Sequence, residues 1–254
     1  MIRLLIVVIF TFILIPFQKD PYYTKQGIPS TYGINQYIKN NQESLIKEFE
    51  YYIGDTLLYD VYLFTDDLEQ YTPDGLGEFY PPDQIYITNK ERFVEYEFKQ
   101  LSKFKQRTLP HTSRTVKAVV FHELTHAYFT QILNIMKMNG YSIPNEYLSF
   151  RIIPNPTTRF GTDFIEEGIC EYMIYHLNEC PPLTNIPIPY NMEELLNEDN
   201  KVNILYGYSV YFLKNFMDEY ALKESVQILI QNKPPTYDEI LKPELFFNRL
   251  QKTL

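Results

Sequence analysis

Cysteine and positive charge are both scarce in this chain, and each shortage excludes a class of protein. Two cysteines in 254 residues are too few for a disulfide-stabilised scaffold. The 23 basic residues are outnumbered by 32 acidic ones, and the resulting net charge of −9 argues against nucleic acid as a partner. The chain also has no repeat and no low-complexity linker. We therefore expect one ordinary domain with a substantial core.

The first 18 residues differ in character from the rest. Residues 1–3 include an arginine and precede an uninterrupted apolar run, Leu4 to Phe17. That run is too short for a comfortable membrane span and is typical of a signal-peptide core. No small-x-small cleavage site follows it, so an uncleaved membrane anchor and a buried N-terminal strand or helix are the alternatives. We expect a signal peptide or anchor at 1–18, a folded domain at 19–254, and a protein that is periplasmic, secreted or membrane-anchored.

Two of the four histidines lie in one short motif, H-E-x-x-H, formed by His122, Glu123 and His126. Residues four apart share one face of a helix, so both imidazoles can reach a common cation. The glutamate beside the first histidine can then take a proton from water at that cation. The motif predicts a zinc site with His122 and His126 as ligands and Glu123 as general base.

The residues around the motif predict an apolar helix. Neither 114–121 nor 127–138 contains proline or glycine. Thr112 or Ser113 can cap the start of the helix, and Asn139-Gly140 supplies a left-handed end. The apolar neighbours argue against a solvated helix face as the explanation of the motif.

A catalytic zinc ion needs a third protein ligand and one position for water. Residues 164–176 also read as a helix and contain the pattern E-G-x-C-x-Y, which begins at Glu167. With H-E-x-x-H upstream, this pattern resembles the gluzincin metallopeptidases, a group of thermolysin-like and aminopeptidase-like zinc enzymes. The resemblance implies that Glu167 is the third zinc ligand and that Gly168 allows close helix packing. Cys170 stands where the family usually has alanine.

The same helix carries other candidates. The resemblance implies that Glu171 hydrogen-bonds a zinc-bound histidine and fixes its tautomer. Glu166 is a rival ligand, but it lies about 100° around the helix from Glu167 and is expected to face solvent. Asp163 and His176 are further rivals, and for His176 we favour a partly buried helix position without a ligand role.

Two more segments resemble parts of the aminopeptidase-type gluzincins. Tyr206 matches the tyrosine of a Y-x-x-G-x segment, with Ser209 in place of the glycine, and the resemblance implies that its phenol stabilises the oxyanion. Core packing is the alternative role of Tyr206. Glu78 matches faintly a glutamate that holds the free amino terminus of a substrate. An ordinary turn glutamate is the alternative there.

The order of segments predicts an α+β fold, with a small sheet on one side, helices on the other and zinc between them. The resemblance implies a zincin fold with a thermolysin-like core. Strand 84–88 is expected to be an edge strand that pairs with extended substrate. The other predicted elements are a helix at 33–52, a strand at 56–64, a loop at 71–83, a helix at 89–104, a long loop over the cleft at 142–162, short helices at 192–196 and 226–231, and a helical C-terminal part at 237–254 broken at Pro243.

These residues together predict a metallopeptidase that uses one Zn²⁺ ion and acts on a peptide or protein substrate. Two alternatives remain at this point. One is a catalytically weak or inactive zincin that is exported and binds peptides or glycans. The other is an interaction protein with an accidental H-E-x-x-H, in which the aromatic residues, 16% of the chain, form a sticky surface. Membrane association through the apolar N-terminal segment is expected if that segment stays uncleaved.

Overall fold

The computed structural model describes residues 20–68, 75–110, 112–149, 156–181, 186 and 188–253, which form an α+β fold. Helices dominate, and one three-stranded sheet lies among them. This mixed architecture confirms the predicted α+β class. The predicted signal peptide or anchor at 1–18 lies outside the described residues. None of the helices in the described part of the chain is long and apolar enough to span a bilayer.

Helices follow one another along most of the chain. They are α1 (Thr31–Ile53), α2 (Lys103–Thr108), α3 (Val116–Met138), α4 (Asn145–Ser149), α5 (Pro156–His176), α6 (Met192–Leu196), α7 (Lys201–Asn203), α8 (Ser209–Glu219), α9 (Leu222–Gln231), α10 (Tyr237–Leu241) and α11 (Pro243–Gln251). The strands are β1 (Tyr62–Asp66), β2 (Gly77–Tyr80) and β3 (Gln84–Thr88). Short 3₁₀ turns occupy Phe98–Gln100 and Glu198–Asn200, and a π-helical turn, Ile204–Tyr208, joins α7 to α8.

Helix α3, which carries the H-E-x-x-H motif, is the central helix of the core and is buried on most of its surface. Its N-cap is Thr115, whose side-chain oxygen accepts a hydrogen bond from the Ala118 N–H at 3.1 Å. The predicted caps, Thr112 and Ser113, are therefore wrong by two or three residues. The predicted end is confirmed, because Asn139-Gly140 ends the helix with glycine at φ 76°.

Residues 89–97 are not helical, although the sequence predicts a helix from 89 to 104. The backbone carbonyls of Glu95 and Tyr96 accept hydrogen bonds from the N–H groups of Val116 and Lys117, in the first turn of α3. Those N–H groups have no partner within their own helix, so an extended segment that supplies acceptors stabilises the start of α3. Within the predicted range, the helical residues are the 3₁₀ turn Phe98–Gln100 and the start of α2.

Strand β3 is the middle strand of the sheet, so the prediction that 84–88 is an edge strand is wrong. It pairs in parallel with β1 and antiparallel with β2. Strand β2 lies within the predicted loop at 71–83. All four of its residues are half-buried, and Gly75 and Pro81-Pro82 flank it, so the sequence shows loop signals and no alternation of apolar and polar residues.

Two other boundaries differ from the sequence prediction. Strand β1 begins at Tyr62 and not at residue 56, because the N–H groups of Leu57 and Leu58 donate to the side chains of Glu50 and Gln131. The predicted loop 142–162 contains α4 and the first turns of α5, and the residues between these two helices lie outside the described ones. Proline opens α5, a position where proline starts a helix without losing a hydrogen bond.

Helix α5 packs closely against α8, and Gly168 lies at the contact. A Cβ atom built on Gly168 would lie 2.9 Å from both Cδ1 of Leu213 and Cβ of Ser209. Distances this short require a shift of the packed helix and not only of a flexible side-chain end. The prediction that Gly168 allows close helix packing is confirmed.

We expect Gly168→Ala to lower the free energy of unfolding by about 1–3 kcal/mol, because the added methyl group overpacks the contact between α5 and α8. Gly207→Ala is the matched control, since its new Cβ would meet its nearest neighbour, Cγ2 of Ile186, at an ordinary 3.6 Å. Urea unfolding followed by circular dichroism measures both. Equal stability of the two variants would contradict the close-packing interpretation.

Candidate metal centre

Helix α3 brings His122 and His126 together on one buried face. Their Nε2 atoms lie 3.2 Å apart, and their ring centroids are 4.9 Å apart. Both rings are almost fully withdrawn from solvent. The spacing of four residues produces this approach, because one turn of helix places the second imidazole directly beside the first.

Helix α5 presents a stripe of polar side chains to these imidazoles. Oε2 of Glu167 lies 3.1 Å from Nε2 of His122 and 3.7 Å from Nε2 of His126. This oxygen is buried and accepts no hydrogen bond of ordinary geometry in the described part of the protein. Three atoms that carry lone pairs therefore meet in one buried space.

The outer nitrogen of each ring faces a carboxylate. Nδ1 of His122 lies 3.0 Å from Oε1 of Glu171, and Nδ1 of His126 lies 2.7 Å from Oε1 of Glu166. Because a carboxylate accepts a proton and does not donate one, each Nδ1 carries the ring hydrogen. In the neutral rings both Nε2 atoms then present lone pairs to each other and to Glu167.

This arrangement fits a metal ion. Two lone pairs and a carboxylate oxygen at 3.1 to 3.7 Å repel one another unless a proton or a metal cation lies between them. Bonds of about 2.0–2.1 Å in a tetrahedral zinc site place neighbouring ligand atoms about 3.4 Å apart. The three observed separations bracket that value, so these residues could hold a small divalent cation.

Glu171 contacts His122 as expected, and its action on a zinc-bound histidine stays a prediction, whereas the expectation for Glu166 is wrong. Glu166 is buried and not exposed to solvent. Helix α5 packs against both α3 and α8. The face that carries Glu166, about 100° around the helix from Glu167, is therefore also inside the protein. The sequence did contain a signal for the role of Glu166. Each of two metal-binding histidines needs its own acceptor for the Nδ1 hydrogen, and the helix that carries Glu167 offers two further glutamates, Glu166 and Glu171, for this purpose.

Sequence reasoning missed two further residues. Arg114 donates a hydrogen bond from Nη2 to Oε2 of Glu171 at 2.6 Å, which fixes the carboxylate that faces His122. Cys170 is buried, and its sulfur and one ring nitrogen each of His122 and His126 all lie within 4.8 Å of one another. These three residues form a group that could bind a metal ion. The second cysteine, Cys180, is also free.

The remaining rivals lie elsewhere. Asp163 lies one turn before Glu166 on the same helix. It forms an ion pair with Arg159 at 3.3 Å. His176 is exposed and stacks on Tyr172, with ring centroids 5.4 Å apart. Neither belongs to the group of donors around the two imidazoles, and His176 is more exposed than the partly buried position that the sequence predicted.

A cleft of about 420 Å³ opens beside the imidazoles. Its polar lining includes Arg114, His122, Glu123 and Tyr206, and its apolar lining includes Leu76, Val119, Ile174 and Val202. Strand β2 covers one side, since a Cβ atom on Gly77 would lie 2.7 Å from Oε1 of Glu123. The tyrosine ring lies across His122, with ring centroids 6.0 Å apart. The structure thus brings Glu123 and Tyr206 to the same cleft.

Burial and neighbouring charges shift the pKa values of these groups. Burial raises the pKa of Glu123. Burial lowers the pKa of His122, but its contacts with Glu167 and Glu171 outweigh burial and raise the pKa to about 9. Burial raises the pKa of Glu167, but the imidazoles hold it well below the usual range. The charge of Glu167, and then burial, raise the pKa of Tyr206, so its phenol stays protonated.

Comparisons of this chain with protein-family models, with curated proteins and with solved structures give no significant match. Its function therefore has to be argued from the geometry of the site.

We expect Glu166→Ala to weaken binding of a divalent metal by about 10- to 100-fold, because the variant removes the acceptor that orients His126. Asp163→Asn is the control. It changes an acidic residue one turn away on the same helix that makes no contact with either imidazole, and we expect a change of less than about twofold. Competition with a chromophoric chelator measures both affinities. Equal losses in the two variants would contradict the assigned role of Glu166.

Proposed function

We propose that this protein is a zinc-dependent metallopeptidase with the zincin fold, in which His122, His126 and Glu167 hold one Zn²⁺ ion. The observation that carries the proposal is the meeting of two imidazole Nε2 atoms with one buried carboxylate oxygen. Imidazole and carboxylate donors at tetrahedral spacing suit zinc. The α+β architecture, with the H-E-x-x-H helix packed on a second helix that carries glutamates, agrees with the fold that the sequence resembles.

The residues of the cleft support hydrolysis of an amide bond. When bound, zinc supplies an acidified water molecule and polarises a carbonyl group. Glu123 takes the proton from the attacking water and returns it to the leaving amine as the C–N bond breaks. Burial raises the pKa of Glu123 and so favours the proton-carrying state that this second transfer requires.

Tyr206 acts opposite Glu123 in this proposal. Its protonated phenol donates a hydrogen bond to the substrate oxygen on which negative charge develops. The apolar lining from Leu76, Val119 and Val202 suits the side chains of a peptide. Glu78 lies on β2, where its charge acts on Glu123, and its role as a holder of the substrate amino terminus stays a prediction. The export-like pattern at 1–18 supports action outside the cytoplasm.

One observation favours a second candidate function. Cys170 lies close to both imidazoles, and a sulfur ligand would add a fourth protein donor to the centre. A zinc site with four protein ligands is closed to water and serves structure and not catalysis. In that case the protein would be an inactive zincin that binds peptides or glycans. Glu167 is the better third ligand, because its oxygen lies 3.1 Å and 3.7 Å from the two Nε2 atoms and its carboxyl is ionised.

The two candidates differ in the effect of two substitutions on metal binding. We expect Glu167→Ala to weaken zinc binding by more than about 100-fold, since loss of even an outer hydrogen-bond partner costs about 10- to 100-fold. Cys170→Ala should change it by less than about threefold. Chelator competition measures the affinity, and the near-ultraviolet spectrum of the Co²⁺-loaded protein reports thiolate ligation. A charge-transfer band that Cys170→Ala abolishes would favour the closed site.

We expect Glu123→Gln to retain one zinc ion per chain and to lower the rate of peptide hydrolysis by about 100-fold or more, because the amide cannot accept the proton of the attacking water. Metal content by atomic emission and cleavage of unfolded casein measure the two properties on the same sample. The wild-type protein with and without chelator is the reference. Undiminished cleavage by the zinc-loaded variant would refute the mechanism.

A further inference from the structure

This acidic chain contains a long stretch that has basic residues and no acidic ones. Residues 98–122 contain neither Asp nor Glu, yet they contain six of the 23 basic residues. The overall charge of −9 conceals this local excess of positive charge. The basic side chains in the stretch fall into two groups, which differ in whether the folded protein neutralises them.

Three of the six cations are neutralised within the fold. Lys99 and Lys117 lie 3.1 Å and 3.3 Å from the buried carboxylate of Glu179, and Arg114 lies 2.6 Å from Glu171. The other three, Lys103, Lys105 and Arg107, are all exposed on the short helix α2. In the part of the chain that the structure describes, these three side chains take part in no ion pair.

A large apolar side chain lies among these three cations. Phe104 is 77% exposed, which makes it one of the most exposed aromatic residues of the described chain. Leaving a phenylalanine in water is unfavourable relative to burying it. We call Lys103, Phe104, Lys105 and Arg107 the basic patch. Cations that surround an exposed aromatic ring are the combination found where proteins contact the headgroup region of a bilayer.

The position at which the described chain begins supports the same partner. The apolar run Leu4 to Phe17 precedes the first described residue, Asp20. Just after it, Tyr23 donates a hydrogen bond to Glu95 at 2.7 Å, and Tyr96 donates one to the carbonyl of Tyr22 at 2.7 Å. The apolar segment therefore joins the folded domain beside the segment that continues into the basic patch. Stable attachment to a membrane usually needs two such signals, an apolar one and a basic one.

We propose that the basic patch binds the surface of a bilayer that contains anionic phospholipid, with Phe104 entering the interface and Lys103, Lys105 and Arg107 contacting the headgroups. Nucleic acid is the less suitable partner, because the apolar run Leu4 to Phe17 can enter a bilayer and has no place on a nucleic acid. The inference goes beyond the proposed peptidase activity and does not depend on it. Loss of membrane binding would leave metal content and peptide cleavage unchanged.

The first test compares binding of the full-length protein to vesicles of pure phosphatidylcholine and to vesicles in which about one third of the lipid is phosphatidylglycerol. The apolar run Leu4 to Phe17 contributes equally to both, so the ratio of the two affinities isolates the contribution of positive charge, and the variants below assign it to the patch. Each cation near an anionic surface contributes about fivefold, so three contribute on the order of 100-fold at low salt. We expect the triple variant Lys103→Gln, Lys105→Gln, Arg107→Gln to lose most of that ratio, and wild-type binding to weaken as salt is added.

The matched control is the triple variant Lys39→Gln, Lys242→Gln, Lys252→Gln, which removes the same charge from exposed lysines elsewhere. It should keep most of the wild-type ratio. A wild-type ratio near one, or equal losses in the two triple variants, would overturn the proposal. Tight binding of an RNA or DNA oligonucleotide that vesicles do not displace would also overturn it and would identify a nucleic-acid surface.

The second test uses the absence of tryptophan from this chain. Phe104→Trp creates a protein with a single indole in the basic patch, and its emission should shift to shorter wavelength on anionic vesicles but not on neutral ones. Tyr190→Trp is the control, because Tyr190 is 85% exposed and lies outside the patch. An unshifted emission at position 104 on vesicles that bind the protein would show that the ring stays in water, and would refute the insertion of Phe104.

Discussion

The structure depends most on one constraint, which is that three lone-pair donors meet in a space from which water is largely excluded. Nε2 of His122, Nε2 of His126 and Oε2 of Glu167 lie 3.1 to 3.7 Å from one another. When the rings are neutral and each Nδ1 donates to its own carboxylate, no hydrogen is left to bridge the three atoms. Either a proton on an imidazole, which the raised pKa of His122 favours, or a bound cation relieves the repulsion, and the packing of α3 on α5 sets the space between the three atoms.

Much of the surrounding fold can be understood as support for this contact. Gly168 allows α5 to approach α8 closely, and the same packing holds Glu166 and Glu167 against α3. The extended residues 95–96 satisfy the first N–H groups of α3, and strand β2 covers the motif from the other side. The three carboxylates have different positions. Glu167 faces the space between the imidazoles, while Glu166 and Glu171 each contact the outer nitrogen of one ring.

The basic residues that precede the H-E-x-x-H motif lie partly in the interior and partly on the surface. The stretch 98–122, which lacks acidic residues, leads directly into the H-E-x-x-H helix. Its buried cations neutralise glutamates that face the interior, as Arg114 does for Glu171 and Lys117 does for Glu179. Its exposed cations lie on α2 and are left for an external partner. One segment thus stabilises the site from within and supplies the proposed membrane contact outside.

The sequence alone determined what depends on residues close together in the chain. The spacing of His122 and His126, the uninterrupted helix around them and the glycine at its end are local, and helical geometry converts them directly into positions. The placement of Glu167, Gly168 and Glu171 on one helix is local in the same way, whereas the roles expected of them came from the family resemblance. The expected roles of Glu123, Tyr206 and the zinc ion also came from the sequence, and they stay proposals.

Only the tertiary structure decided what depends on distant neighbours. The burial of Glu166, the contact of Arg114 with Glu171 and the approach of Cys170 to the imidazoles all arise where two helices meet. Strand β2 and the extended segment before α3 likewise form because another segment supplies their hydrogen-bond partners. Such partners lie tens of residues away, so no local period or propensity encodes them, and the packing of α3, α5 and the sheet had to be known first.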